Sequence, residues 1–151
     1  MNSESPQTVS DGLLQTLADF RFELRRFLHF SESASIAAGL QPRQHQLLLQ
    51  VAGAPAGTAV TIAYAAARLE LKHNSTVELV DRSEREGLLT RVADSDDRRR
   101  AILRVTRKGK QLLTRLSNEH ARELNERGPR LVNALQQIGR HAESAVPAVQ
   151  Q

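Results

Sequence analysis

The chain has 151 residues, 40% hydrophobic and 25% charged, with no cysteine, no tryptophan and a formal net charge of +4. This is an ordinary globular composition, long enough for one domain with a real core, or for a small domain plus an oligomerisation segment. The lack of cysteine excludes disulfides, thiolate metal sites, a cysteine nucleophile and thiol-based peroxide sensing, and an aromatic content of 3% argues against the stacking platforms of single-strand binders.

Residues 1–9 read as a disordered tail. Met1 to Gln7 are polar and include Glu4 rather than a basic segment, so no signal peptide is expected and the cytoplasm is the default location. No apolar run approaches the ~20 residues of a membrane span. Residues 10–38 follow as an N-terminal helix and a short helix. Ser10 or Asp11 is placed to cap the first. Leu13, Leu17, Phe20, Leu24 and Phe27 recur at helical spacing, widened by Leu14 and Leu28, and make one apolar stripe. That stripe suits a helix packed on its own core or one shared with a second subunit; two heptads do not establish a coiled coil. Ser31 to Ala38 predicts the short helix, ended by Gly39.

A lobe spanning 40–106 comes next. Pro42 suits the first turn of a helix through Leu47, Leu48, Leu49 and Val51, which stops near Gly53. Ala54 to Gly57 form a loop, and Ala59 and Val60 are extended at best. Thr61 caps a helix through Ile62, Ala65, Ala66 and Leu69. After a tight turn around Leu71 and Lys72, a second helix over 74–86 ends at Gly87. Two short helices joined this way are a helix-turn-helix candidate, although many helical corners look alike. Leu89 to Ala93 and Ala101 to Val105 then alternate as strands around the polar run Asp94 to Arg100. This predicts a hairpin with a long charged tip, a wing over 88–106.

Residues 107–145 return to helical patterning through Leu112, Leu113, Leu116 and Leu124. Gly128-Pro129 is expected to break it before a last helix carrying Leu131, Leu135, Ile138 and Ala142. Residues 146–151 are a tail. Between Arg91 and Arg115 stand nine Lys or Arg against three Asp, a surplus of +6 that leaves −2 for the rest of the chain. Locally concentrated positive charge is what a polyanionic partner selects, although a solvated charge run is the commoner reading of any single run.

The run Asp97-Arg98-Arg99-Arg100-Ala101-Ile102-Leu103-Arg104-Val105-Thr106-Arg107-Lys108-Gly109 resembles the wing signature of the MarR family of bacterial transcriptional regulators. Ala66-Ala67-Arg68-Leu69 and Ser75-Thr76-Val77-Glu78-Leu79-Val80-Asp81-Arg82 resemble that family's two helix-turn-helix helices, and Gly87-Leu88-Leu89 its helix-to-wing junction. The likeness follows the order of elements from Ser10 to Ala145, with sharp motifs in 60–110. One position departs: Ser83 stands where the family usually has an apolar residue, often Leu. Large-to-small core changes of that kind cost something like 1–3 kcal/mol.

The resemblance implies a mainly α (α+β) fold, a winged helix-turn-helix DNA-binding domain with an all-helical dimerisation region drawn from both termini. It implies a homodimer on double-stranded DNA, reading a near-palindromic operator. Such a protein is a regulator, a repressor relieved by a small-molecule effector, with no cofactor, membrane or enzymatic role. Each recognition helix would enter a major groove and each wing flank it at a minor groove. His73, Asn74, Ser75, Val77 and Glu78 are placed to face bases, where Asn pairs with adenine, Glu accepts from cytosine and Val meets a thymine methyl. Arg82, a turn later, would reach phosphate. Arg98, Arg99 and Arg100 would sit at the wing tip, with Asp97 pairing with Arg99 to brace it and a neighbouring arginine entering the groove. One of the three is expected to be held in a salt bridge within the wing. Arg91, Arg104, Arg107 and Lys108 are phosphate candidates. Leu13, Leu17, Phe20, Leu24, Leu131, Leu135 and Ile138 would form the dimer interface. Arg21, Arg25, Arg26, Phe27, Phe30 and His45 would line an effector pocket where the dimer helices meet the winged domain.

The five histidines, His29, His45, His73, His120 and His141, have no i,i+4 partner among themselves, and no HExxH, GxSxG or Gly-rich phosphate loop occurs. Neither a metal site nor an enzyme is indicated. The alternative is a winged-helix module that binds protein without reading DNA.

Overall fold

The computed structural model describes residues 10–145; the two expected tails, 1–9 and 146–151, lie outside the described residues. The described elements are α1 (Asp11–Ala37), α2 (Pro42–Ala52), α3 (Ile62–Leu69), α4 (His73–Arg85), β1 (Leu89–Ala93), β2 (Ala101–Val105) and α5 (Arg107–Ala145). The fold is mainly helical with one two-stranded sheet, as expected. The chain forms two compact units. One takes the residues up to Phe30 and from Ala121 onward; the other is Ser31–His120.

Helices α1 and α5 differ from the sequence expectation. Ser31 to Ala37 is the last part of α1, not a separate helix, and Gly39 terminates it. Gly128-Pro129 does not break α5, which runs 39 residues with Pro129 inside it. The reason lies in the phase of its less exposed face. Leu113, Leu116, His120, Glu123, Arg127, Leu131, Ala134 and Ile138 follow one another at spacings of three or four, straight past the Gly-Pro pair. A break would have thrown that face out of register. The N–H that proline lacks would have bonded Asn125, an exposed residue whose carbonyl water can satisfy.

In the first unit, α1 and α5 run antiparallel. A Cβ on Gly12 would lie 3.4 Å from the His141 ring, and Glu23 pairs with Arg130 at 3.7 Å. Thr16 and Ala134 are buried here.

The second unit holds the core: Leu40, Leu47, Leu48, Val51, Val60, Ala65, Leu79, Val80, Leu88, Leu89, Leu103, Leu113 and Leu116. The α3 N-terminus is capped by Thr61, whose Oγ1 accepts the Tyr64 N–H at 3.2 Å. The α3–α4 turn closes through Glu70 in the left-handed region (φ 52°). Helix α4 ends at Gly87 (φ 72°), whose N–H bonds the Glu84 carbonyl while the Leu88 N–H reaches back to Ser83, both at 2.9 Å. This left-handed cap is why a glycine stands there. The strands pair antiparallel, Leu89 opposite Val105 through Ala93 opposite Ala101. Val60 stays outside any strand, yet its carbonyl accepts the Leu103 N–H at 2.8 Å.

Ser83 is fully buried and its hydroxyl donates to the Leu79 carbonyl at 2.8 Å. The helix is seated on Thr76, Leu79, Val80 and Ser83, so a small residue closes this contact where a larger one was expected.

Candidate nucleic-acid interface

Seating α4 on that buried stripe turns the opposite face outward. His73, Asn74, Ser75, Glu78 and Arg82 are exposed, and Val77 is half-buried. The polar residues picked out from sequence for this helix therefore share its solvent side. Arg82 is not fully free: its Nη1 donates to Gln41 Oε1 at 2.6 Å. With Ser75 and Glu78 it lines a concavity of about 540 Å³ closed by Pro42, Arg43 and Glu32.

At the wing, the hairpin tip is organised by Asp94. Its side chain is only 8% exposed; it accepts the Asp96 N–H at 3.0 Å and pairs with the Arg100 guanidinium. The Asp96 N–H first, then Arg100, holds the Asp94 carboxyl below the usual carboxylate range. The Asp94 hydrogen bond pushes Arg100 up in turn. Asp94 N–H to Arg100 carbonyl (3.2 Å) and Arg100 N–H to Asp97 carbonyl (3.1 Å) close the loop.

Asp97 does pair with Arg99, Nε to Oδ1 at 3.2 Å, and also accepts the Arg99 N–H at 3.0 Å. The Arg99 side chain is nevertheless 92% exposed, and a surface pair of that kind contributes little rigidity. The stronger brace, Asp94 with Arg100, was missed in the sequence reading. Its clue was position: Asp94 and Arg100 flank the tip, just outside the strand ends. Arg98 is exposed and makes no ion pair among the described residues.

Of the four phosphate candidates, Arg104 and Arg107 are exposed without an ion pair among the described residues. Lys108 is exposed but donates to the Glu86 carbonyl at 2.9 Å. Arg91 differs from expectation. Its guanidinium bonds both Asp81 and Glu84 of α4, and its backbone N–H reaches Glu84 Oε1 at 3.3 Å. The hydrogen bond to Asp81 is the main influence raising its pKa. Arg91 thus ties β1 to α4 and offsets two carboxylates there, which removes it from the free cations.

The junction after β2 is equally built. The Thr106 hydroxyl donates to the Gly87 carbonyl at 2.6 Å and accepts the Gly109 N–H at 3.1 Å, so it caps α5 while holding the end of α4. A Cβ on Gly109 would sit 2.3 Å from the Leu88 carbonyl oxygen.

The expected pocket residues do not all meet. Arg25, Arg26 and Phe30 line a concavity of about 540 Å³ in the first unit, with Phe22, His29, Glu123 and Arg127; Arg26 lies over the Phe22 ring at 5.4 Å. Arg21 is exposed and Phe27 half-buried, neither lining it. His45 belongs to the other unit and is buried there. Of the expected dimer residues, Leu17 and Leu135 are exposed, and Leu13, Phe20, Leu24, Leu131 and Ile138 are half-buried.

Residues 38–100 match the model of the MarR family, the family that the wing resembles. A Thauera aromatica protein assigned to transcriptional regulation of the hcr operon is 29% identical over 138 residues, covering 88% of this chain and 80% of its own. Among solved structures, CouR from Rhodococcus jostii RHA1, bound to p-coumaroyl-CoA, superposes with a TM-score of 0.65 at 23% identity, covering 94% of this chain and all of CouR. A variant of S. aureus MepR bound to an oligodeoxyribonucleotide gives 0.60 at 18% identity, over 87% of this chain and 95% of its own. At these identities the two structures speak to the fold.

Proposed function

We propose that this protein, a MarR-family transcriptional regulator whose family segment is residues 38–100, works as a cytoplasmic homodimer that binds a near-palindromic operator in double-stranded DNA and represses transcription until a small molecule lowers its affinity. The observation that carries the DNA reading is the wing. Asp94 and Arg100 fix the tip, leaving Arg98 and Arg99 as exposed cations in the same unit as the exposed polar face of α4. A fixed cation at a narrow minor groove gains from the enhanced negative potential there. On α4, Asn74, Ser75 and Glu78 offer the short polar groups that read base edges. Arg104 and Arg107 supply phosphate contacts, which position without reading sequence. The oligonucleotide bound by MepR supports the same use of the fold.

Dimerisation is supported by apolar surface. Leu14, Leu17, Leu28, Val132 and Leu135 are each between 39% and 53% exposed, an array that a single chain leaves uncovered. Two recognition helices on one duplex, roughly 34 Å apart, explain a palindromic site. For the effector, the concavity of Phe22, Arg25, Arg26, His29 and Phe30 suits an amphipathic organic anion. CouR carrying p-coumaroyl-CoA is an example of such a ligand on this fold.

Selection of duplexes from a random pool by the full-length chain tests the proposal. It should enrich a near-palindrome with half-sites one helical turn apart, occupied by two chains. A pool that stays unselected, bound only through a protein partner, would move the chain to the interaction-module class.

A further inference from the structure

The winged unit holds two histidines that DNA recognition does not use, His45 buried and His120 half-buried. His45 of α2 is 2% exposed, and its ring centroid lies 5.0 Å from that of His120 in α5, with the planes inclined at 52°. Their hydrogen bonds form a directed chain. The Ser35 hydroxyl donates to the Ser31 carbonyl at 2.8 Å, so towards His45 Nδ1, 3.0 Å away, it acts as acceptor. His45 therefore carries its proton on Nδ1. His120 Nδ1 lies 2.7 Å from the Leu116 carbonyl and must donate to it. That leaves His120 Nε2 to accept from the Ser31 hydroxyl at 2.8 Å. All four bonds are made with both rings neutral, and they join the last turns of α1 to α2 and α5.

The surroundings do not favour two charges. Burial first, then the charge of His120, pushes the His45 imidazole below its ordinary value. Carboxylates on the packed elements stand against other groups. Glu119 pairs with Arg115 at 3.2 Å, Glu86 accepts from Gln44 Nε2 at 2.9 Å, and Glu32 lines the concavity beside α4 together with Arg43.

The same helix reaches the recognition helix. Gln44, next to His45 in sequence, bonds Glu86 at the C-cap of α4, and Gln41 holds Arg82 at 2.6 Å. We propose that the His45–His120 pair is a proton-operated latch on the recognition helix: the packed unit takes one charged imidazole at this point, and a second proton drives α2 off the end of α1 and the start of α5, loosening the Gln41 and Gln44 bonds to α4. Its consequence, weaker duplex binding in acid, rests on the DNA reading; the proton coupling itself does not. The sign follows from linkage. A lowered folded-state value means the unfolded chain binds the proton first. The contribution is complete above the ordinary value of 6.5 and is lost as pH falls from there to the lowered folded value.

The test follows the histidine Cε1–H resonances of the full chain from pH 8 to pH 5, with thermal midpoints and duplex affinity at the same pH values, for the wild type and His120→Gln. His45 should titrate below the ordinary value in the wild type and higher in the variant. Acidification from pH 7.5 to 5.5 should weaken duplex binding about fivefold or more in the wild type and less than about twofold in the variant. His45 titrating at the ordinary value, or identically in both proteins, overturns the latch. If His120→Gln does not fold, the wild type alone decides: a two-step titration shared by both rings supports the latch, and independent single-site titrations overturn it. Intact coupling with no duplex bound at any pH would sink the DNA reading and leave the latch supported.

Discussion

Two aspartates three residues apart divide the work of the wing tip. Asp97 was legible as the start of a motif, and it does meet Arg99, but in full solvent. Asp94 looked like one more acid in a charged run; only its burial and its bond to Arg100 distinguish it, and burial at a hairpin end leaves no periodic trace in sequence. The two roles separate by mutation. Arg98→Ala should weaken duplex binding by about tenfold, the loss of one good groove contact, with the thermal midpoint unchanged; titration by fluorescence anisotropy measures it. Asp94→Asn should instead raise amide hydrogen exchange across 95–99 and lower affinity while all three arginines remain. Because Asp94 is held below the usual range, its contribution is present above the ordinary carboxylate value and is lost only as pH falls through the lowered one. The tip brace is therefore constant from pH 5 to 8, and an affinity change inside that window belongs to the histidines.

At the scale of elements, most boundaries could be read because local chemistry wrote them: Thr61 as a cap, Gly87 as a stop, alternation in both strands. The two misplaced breaks have one cause. Local residues suggested an end at each point, the polar serines from Ser31 and the Gly128-Pro129 pair, and tertiary packing carried both helices through; the unbroken phase of the less exposed face of α5 was the better signal. Pro129→Ala tests this. In a helix interior the exchange is worth up to about 3 kcal/mol, so the variant should melt at a higher temperature, whereas a chain broken at 128 would gain nothing. Gly109 is the reverse case. Its place in the wing signature could be quoted from sequence, but the reason is visible only in three dimensions, where the Leu88 carbonyl occupies the space of a Cβ. Gly109→Ala should cost about 1–3 kcal/mol or more, because backbone has to move, and denaturant unfolding would show it.

For the whole molecule, a chain with a net charge of +4 would draw its proposed affinity for DNA from where its cations stand. Arg91 is turned inward onto α4, and Arg100 is held by Asp94. Arg98, Arg99, Arg104 and Arg107 remain outward, and the proposed pairing of two chains would double them along one duplex. The exposed apolar stripes proposed as a dimer face were legible in the sequence, whereas the concavity proposed for the effector was legible only in part: helical spacing brings Arg25, Arg26 and Phe30 near one another, but it cannot show that His45 is buried in the other unit. Counterion release makes the central claim measurable, since each neutralised phosphate steepens the salt dependence by about 0.9 in log–log slope. The most direct measurement is the affinity of the purified full-length chain for its selected duplex and for a scrambled one between 50 and 300 mM salt. The account predicts a slope of about −4 or steeper for the selected duplex, made shallower by roughly one or two when Arg98 is alanine in both subunits, and clearly weaker binding to the scrambled one. A slope near zero, or equal affinity for both duplexes at every salt concentration, would contradict it.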